Sequence, residues 1–492
     1  MTTTVPCVKS TNSVSRINSL LNDIPSIIDD ALKGIVMANK GLVLLEGHRI
    51  VMRRDHAQMK GKVKLLSGGG AGHEPSHIGF VGPGMLTAVV VGNVFFCPPI
   101  HTILVALREL GRDHPEGILI IVPDYIGIRF NFGGALERAR SEGINVKMLM
   151  VGEDCAPMPE GHKGRRGLAG IILIEKLAGA MSEEGKKLEH IFTACTSTLM
   201  SEIATIGIGI KLSSLVPGMS RCCIILKESD LELGVGCRNE PGVKRVPAGP
   251  ISEIVRVMLE HIKNPASNMM FKLTPSCSLA VLINNLGGSS KLEEYIFVKE
   301  TLKQLDDFGC KVERVYAGIF ASALESAGFS VTLLKINNQD IVNYLDAPTS
   351  ASAWPRTLCA SCVNMDGSAS LPISVPSACV STEQELRSLK LHVGPKMSDK
   401  SARNVSQVII LATDALASCE SQLNHFDAEV ADGDTGSALK AAAMAIKKAL
   451  QTGTILCQRP YAMLEEMSSV IESSVGGTSS GLYCMFLTSA AK

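Results

Sequence analysis

Three short stretches of the chain carry the residues able to do chemistry. In LLSGGGAGHEPSHIGFVGPGML, from Leu65 to Leu86, a glycine run meets a histidine and an acid. Glycines let a backbone come close to a small ligand, and His73 with Glu74 places a titratable donor and acceptor beside them. The stretch lacks the Gly-x-x-x-x-Gly-Lys-Ser/Thr of a phosphate loop and the three-glycine spacing of a dinucleotide loop. On these residues alone it reads either as a small-ligand loop or as a structural turn with a hydrogen-bonded histidine.

The second stretch is FDAEVADGDTGSAL, where Asp427, Asp432 and Asp434 fall in one short segment between helical patterns. Carboxylates this close repel one another unless a cation joins them, and oxygen ligands suit Mg²⁺ or Ca²⁺. Counted from Asp432, the fifth and sixth positions of an EF-hand loop are Gly436 and Ser437, which fail its requirements. Mg²⁺ carrying a nucleotide is the functional reading, and a solvated acidic turn is the alternative. In the third stretch, VGGTSSGLYCMF from Val475, glycines and hydroxyls precede an apolar helical run, a pattern that suits phosphate at a helix N-terminus and also serves as an ordinary connection.

These stretches need elements to position them. From Lys62 to about Pro355, short β-branched runs (KVKLLS, GILIIVPDY, INVKMLMVG, SLAVLINNLGG, FSVTLLKIN) alternate with helix-period stretches such as HTILVALREL and KLEEYIFVKETLKQLDDFG, which predicts an α/β layer architecture. The glycine-rich turn at residues 68 to 72 then follows a strand, where open α/β sheets place ligand loops. A break near residues 250 to 275 predicts two lobes. Residues 356–400 lose periodicity and turn to Ser, Pro, Ala and Gly, as a linker does. Beyond it, apolar residues at three and four spacing predict an all-helical region over 401–492.

Composition narrows the function classes. With 492 residues the chain holds two or three domains at roughly 150 residues each. Lys plus Arg equals Asp plus Glu at 48 each, so no overall field draws in nucleic acid or an anionic membrane. The longest apolar stretch, MLTAVVVGNVFF, falls short of the roughly 20 residues of a bilayer span. Fifteen cysteines without framework spacing read as reduced thiols in a cytosolic protein, and Cys359 with Cys362 as a linker coincidence in preference to half a zinc site. The acid-free first 22 residues read as a cytosolic N-terminus, with a mitochondrial presequence as the alternative.

Taken together, the stretches resemble the dihydroxyacetone kinase family, most closely its animal triokinase/FMN cyclase branch. ALKGIVMANKGLVLLEGHRIVMRRD, LLSGGGAGHEPSHIGFVGPGML, GRRGLAGIILIEKLAGA, LELGVG with EPGV, INNLGG and SAWP look like its substrate (K) domain, here residues 1–355; FDAEVADGDTG and GGTSSGLY look like its nucleotide (L) domain. The resemblance implies a two-lobed α/β K domain that forms homodimers and binds a triose, dihydroxyacetone, as a hemiaminal on a histidine. Gly69, Gly70, Ala71, Gly72 and His73 would bind that substrate. It implies an L domain built as a helical barrel, with Mg²⁺ on Asp427, Asp432 and Asp434 and ATP held by Asp432, Gly433, Asp434, Thr435, Gly477, Thr478 and Ser479.

Several positions depart from the family pattern. The covalent histidine belongs to a Gly-Ile-His-Gly-Glu context, and GVGCRNEPG here puts Arg238 in its place. The family's KNYTGD carries a lysine and an aspartate that assist proton transfer; the aligned PDYIGI has Pro123 and Ile128. The chain ends at Lys492, where the resemblance implies further barrel helices, so a partial helical barrel is expected. The leading expectation is an impaired or inactive kinase homologue, a pseudoenzyme that binds or regulates, with an intact paralogue as a possible partner. The alternative is an active phosphotransferase or FMN cyclase with a changed substrate, in which Arg238 contacts a phosphate or carboxylate.

Overall fold

The computed structural model describes residues 26–156, 164–211, 226–227, 229–238, 240–264, 271–355, 394–429, 433–476 and 478–491. The chain divides into two compact units, Met1–Ala360 and Ser361–Lys492. The 356–393 part of the expected linker, with Cys359 and Cys362, lies outside the described residues, as do Asp432 and Gly477.

In chain order, the first lobe of the first unit runs α1 (Ile27–Ala38), β1 (Leu42–Leu44), β2 (Ile50–Arg53), β3 (Lys64–Ala71), β4 (Ala88–Val94), α2 (Ile100–Gly111), β5 (Ile118–Pro123), α3 (Ile126–Ser141), β6 (Val146–Val151), α4 (Ile171–Glu183) and α5 (Leu188–Ser201). Its six-stranded sheet has the order β1-β2-β4-β3-β5-β6. The β4-β3-β5-β6 portion is parallel, and β1 and β2 add antiparallel edges. Helices cover both faces, so the central strands read as continuous apolar runs. Along β5 the period of two sends Ile118, Ile120 and Val122 into the core with Phe132 of α3, while Leu119 and Ile121 enter the core with Leu173 and Leu177 of α4.

The second lobe runs β7 (Ile203–Lys211), β8 (Asp230–Leu233), β9 (Lys244–Pro247), α6 (Ile251–Lys263), β10 (Ser278–Asn285), α7 (Lys291–Asp307), β11 (Lys311–Gly318), β12 (Ala327–Lys335) and α8 (Gln339–Asp346). Its sheet order is β11-β10-β12-β7-β8-β9, with β10 and β11 the parallel pair. The start of α7 carries a capping box: Ser290 Oγ accepts from the Glu293 amide at 3.2 Å, and Glu293 Oε2 accepts from the Ser290 amide at 2.8 Å.

Two expectations are corrected. The lobes change over after α5, near residue 202, and not at 250–275. The later segment contains α6, whose Val255, Met258, Leu259 and Ile262 pack into the second lobe's core. The glycine run is also no turn: Gly68 to Ala71 are strand residues of β3. Those glycines serve close packing, since a Cβ on Gly68 would lie 2.4 Å from the Val90 carbonyl oxygen and 3.0 Å from Phe132 Cζ.

The second unit is helical, as expected: α9 (Asp399–Ser418), α10 (Glu420–Ala428), α11 (Thr435–Gln451), α12 (Pro460–Ser474) and α13 (Thr478–Ala491). Ala402, Ile446, Ala449, Met463 and Ile471 form its core, while α13 keeps Leu482, Met485 and Phe486 exposed. Among the described residues no helix is long and apolar enough to cross a membrane.

The packing around β3 gives a stability test. Gly68→Ala should lower unfolding free energy by about 1–3 kcal/mol through forced displacement of β4 or Phe132, read as a lower urea midpoint at unchanged slope. An unchanged midpoint would mean that β3 has room the fold does not show.

Candidate functional site

The site begins where β3 ends. Gly70 has the Phe95–Phe96 peptide against it, with a built Cβ only 2.7 Å from the Phe95 carbonyl carbon and the Phe96 nitrogen, so no larger residue fits. Gly72 then turns the chain at φ +96°, where side chains are strained. The loop is fixed to the second lobe through the backbone: the Ser322 amide donates to the His73 carbonyl at 3.1 Å and the Leu324 amide to the Gly72 carbonyl at 3.1 Å.

These contacts orient His73. Its Nδ1 lies 3.0 Å from the Ser322 carbonyl oxygen, and its ring stacks on Phe95 at 4.9 Å. A carbonyl only accepts, so Nδ1 carries the proton and Nε2 keeps its lone pair. Burial, reinforced by the nearby Arg238 charge, pushes the imidazole pKa down to about 4. His73 Nε2 is buried without a hydrogen-bond partner.

A cavity of about 30 Å³ brings together Gly69, Gly70, His73, Pro123, Ile128 and Arg238. All six were marked by the sequence, and they come from β3, the loop after it, β5, α3 and the segment after β8. Ala71 and Gly72 do not line it; they border an adjoining cavity of about 570 Å³ beside α1, which shares Gly69 and Gly70 with it. Pro123 ends β5 in register with Val151, and Ile128 is 1% exposed in the core beside Phe132. The Asp124 carboxylate, next to Pro123, accepts from Arg129 Nη2 at 2.5 and 2.7 Å and does not line the cavity.

Arg238 is held by its backbone, whose amide donates to Glu240 Oε2 at 2.9 Å. Its guanidinium lies over the Tyr125 ring at 4.4 Å, and its Nε is buried without a partner. Tyr125 Oη sits 3.1 Å from Cys237 Sγ. Burial pushes the Cys237 thiol up to about 12, so it stays protonated. Sequence reasoning missed Tyr125, Cys237 and a buried pair behind them, His77 Nδ1 with Glu175 Oε1 at 2.6 Å. The pair had a signal: Glu175 and Lys176 are the charges inside the apolar run IILIEKLAGA.

In the second unit, Asp427 at the end of α10 reaches the start of α11. Its Oδ2 accepts from the Asp434 and Thr435 amides at 2.9 and 3.2 Å, and these bonds hold its carboxyl below the usual carboxylate range. Asp434 makes no side-chain cap bond. Gly433 bends the chain between them at φ +78°. The structure thus places Asp427, Gly433, Asp434 and Thr435 at one turn; Thr478 and Ser479 open α13, and their side chains are outside the described set. Two carboxylates at one exposed turn form an all-oxygen donor set that fits a hard divalent cation.

The His73 environment gives a pH test with a definite sign. Above pH 6.5 neither folded nor unfolded chain holds the second, charging proton on this ring. Between 6.5 and about 4 only the unfolded chain does, so stability falls as pH falls. Relative to His73→Asn, the wild-type chain should lose on the order of 3 kcal/mol across that window, from about 2.5 pKa units. Urea unfolding at a series of pH values measures the difference, and a His73 ring resonance titrating near 6.5 would contradict it.

Comparison with known proteins follows the same division. Residues 33–353 match the Dak1 domain and residues 429–492 the DAK2 domain. The chain is 38% identical over 473 residues to triokinase/FMN cyclase of Mus musculus, covering 96% of this chain and 79% of that protein. Among solved structures it resembles the C. freundii dihydroxyacetone kinase in complex with AMP-PNP and Mg²⁺, with TM-score 0.67, 29% identity and coverage of 96% and 82%. It also resembles the dihydroxyacetone kinase operon co-activator Dha-DhaQ, with TM-score 0.61, 29% identity and coverage of 68% of this chain and 99% of that one. With both domain models matched in order on a two-lobed α/β unit and a helical unit, the chain belongs to the dihydroxyacetone kinase family.

Proposed function

We propose that this protein is a dihydroxyacetone kinase homologue whose triose site no longer captures its ketone covalently, and that it works as a binding or regulatory member of the family. The observation that carries the reading is Arg238 in the His73 cavity, where the family pattern has its covalent histidine. A guanidinium stays protonated and has no neutral nitrogen to add to a ketone. Pro123 and Ile128 line the same cavity and can neither donate nor accept a proton, so general acid–base help worth a hundredfold or more is missing at each. Dha-DhaQ, a co-activator that aligns with 68% of this chain, supports a regulatory use of the fold.

Under this reading residues 1–355 are the K domain, 356–400 the linker and 401–492 the L domain. Asp427, Asp432 and Asp434 would hold Mg²⁺, which when bound neutralises phosphate charge on ATP. Gly433, Thr435, Gly477, Thr478 and Ser479 would cradle the nucleotide; the AMP-PNP and Mg²⁺ in the C. freundii relative support this. By family resemblance the working form is a cytosolic homodimer through the K domain, with an intact paralogue as the partner that supplies turnover. A second reading, an active phosphotransferase or FMN cyclase with a changed substrate, is favoured by one observation, the buried and unpartnered Nε of Arg238.

Incubation of the full chain with Mg-ATP and dihydroxyacetone, followed by phosphorus NMR, tests the proposal. No dihydroxyacetone phosphate is expected from the wild type, nor from Arg238→His alone, because Pro123 and Ile128 remain. The triple variant that also carries Pro123→Lys and Ile128→Asp should form product if it folds. Wild-type turnover at rates typical of kinases, about 1–100 s⁻¹, would sink the reading.

A further inference from the structure

Loss of covalent capture explains what Arg238 cannot do, but not why a charged side chain sits in this cavity. Among the described residues its guanidinium makes no hydrogen bond or ion pair, and its contact is the Tyr125 ring at 4.4 Å. The residue as a whole is half-buried, but its Nε is buried without a partner, and a buried polar group left unpaired is costly. The nearby carboxylates are committed elsewhere. Glu240 accepts from the Arg238 backbone, Asp124 is paired with Arg129, and Asp154 is paired with Arg166 at 2.6 Å. The thiols that feel its charge offer no counter-ion either, since burial pushes Cys97 and Cys237 up to about 12.

The same cavity holds a second unsatisfied group. With Nδ1 donating to Ser322, His73 presents a bare Nε2 lone pair, buried and unpartnered. The cavity therefore offers a fixed positive donor and a neutral acceptor, with Gly69 and Gly70 leaving its floor free of side chains. Dihydroxyacetone answers only one of these demands: its O–H can donate to Nε2, but it has no charge for the guanidinium.

We infer that this cavity is a binding site for a small hydroxylated oxyanion, with a carboxylate or phosphate oxygen on the Arg238 guanidinium and an O–H of the same molecule donating to His73 Nε2. The inference deepens the reading above and rests on it in one respect, that Arg238 occupies the covalent position. An anion would satisfy two buried polar groups at once, and hydrogen bonds to charged groups are the stronger class. The volume of about 30 Å³ favours the smallest members, glycolate or hydrogen phosphate before glycerate.

Isothermal titration and thermal unfolding of the full chain with glycolate, glycerate, inorganic phosphate, acetate and dihydroxyacetone test the inference, with Arg238→Gln and Arg238→Lys beside the wild type. Saturable binding of glycolate or phosphate is expected, with acetate at least tenfold weaker for want of a hydroxyl and dihydroxyacetone giving no protection. The carboxylate and phosphate arms decide which oxyanion the site prefers. Arg238→Gln should lose at least tenfold in affinity at a ligand-free melting temperature no lower than that of the wild type, and Arg238→Lys should retain part. If a variant fails to fold, protection of wild-type Arg238 from phenylglyoxal by glycolate, read by mass spectrometry, replaces it. Absence of anion binding, or binding indifferent to Arg238→Gln, overturns the inference while leaving the kinase result untouched. Dihydroxyacetone turnover with no anion binding overturns both readings.

Discussion

The backbone clamp between residues 72–73 and 322–324 is the constraint on which the site depends. It joins the end of β3 in one sheet to the β11–β12 connection in the other, so the two lobes meet at the glycine loop. The clamp also decides chemistry. By presenting the Ser322 carbonyl to His73 Nδ1, it fixes the tautomer and turns Nε2 toward the cavity. Arg166 works as a second fastener. It pairs with buried Asp154 at 2.6 Å and donates to the Gly234 and Pro241 carbonyls at 2.5 and 3.2 Å, which grips both ends of the segment bearing Arg238. Such a buried, multiply bonded guanidinium is costly to break and fixes geometry more than it adds net stability.

With both fasteners in place, Pro123 and Ile128 take ordinary places in the fold. Pro123 ends β5, where its missing amide costs little at a strand terminus, and Ile128 joins the apolar cluster between β5 and α3. On the proposed reading, Pro123 and Ile128 leave that part of the cavity wall without a titratable group. The contrast between two arginines sharpens this. Arg166 has an aspartate and two carbonyls, whereas Arg238, a few residues beyond one of those carbonyls, has an aromatic face. The first is the pattern of a structural arginine; the second leaves a donor unspent within the cavity.

Much of this was legible in the sequence, and the failures have physical causes. The apolar runs of β3, β5, β6, β10 and β12 announced the α/β layers, because strands covered on both faces need no polar alternation. The shorter β1, β8 and β9 are too brief or too polar for a periodic signal, and β9 reads simply as KRVP. The glycine run looked like a turn because glycine marks both turns and close packing; only the approach of Val90 and Phe132 separates the two. All six cavity residues were found through motif and departure from motif. Tyr125 and Cys237 were not, since their roles arise from contacts between the lobes that no local pattern encodes.

The helical unit shows why a retained residue is weaker testimony than its environment. Asp427 belongs to the acidic motif, yet its carboxylate accepts two amides at the start of α11, so helix capping alone accounts for an aspartate there. Asp434 stands at the N-cap position of the same helix and makes no side-chain cap bond. A carboxylate set beside another, excused from the capping duty its position invites, has no structural task among the described residues. The cation reading of this turn therefore leans on Asp434 more than on Asp427, just as the anion reading of the other unit leans on the unpaired Arg238 and not on the paired Arg166.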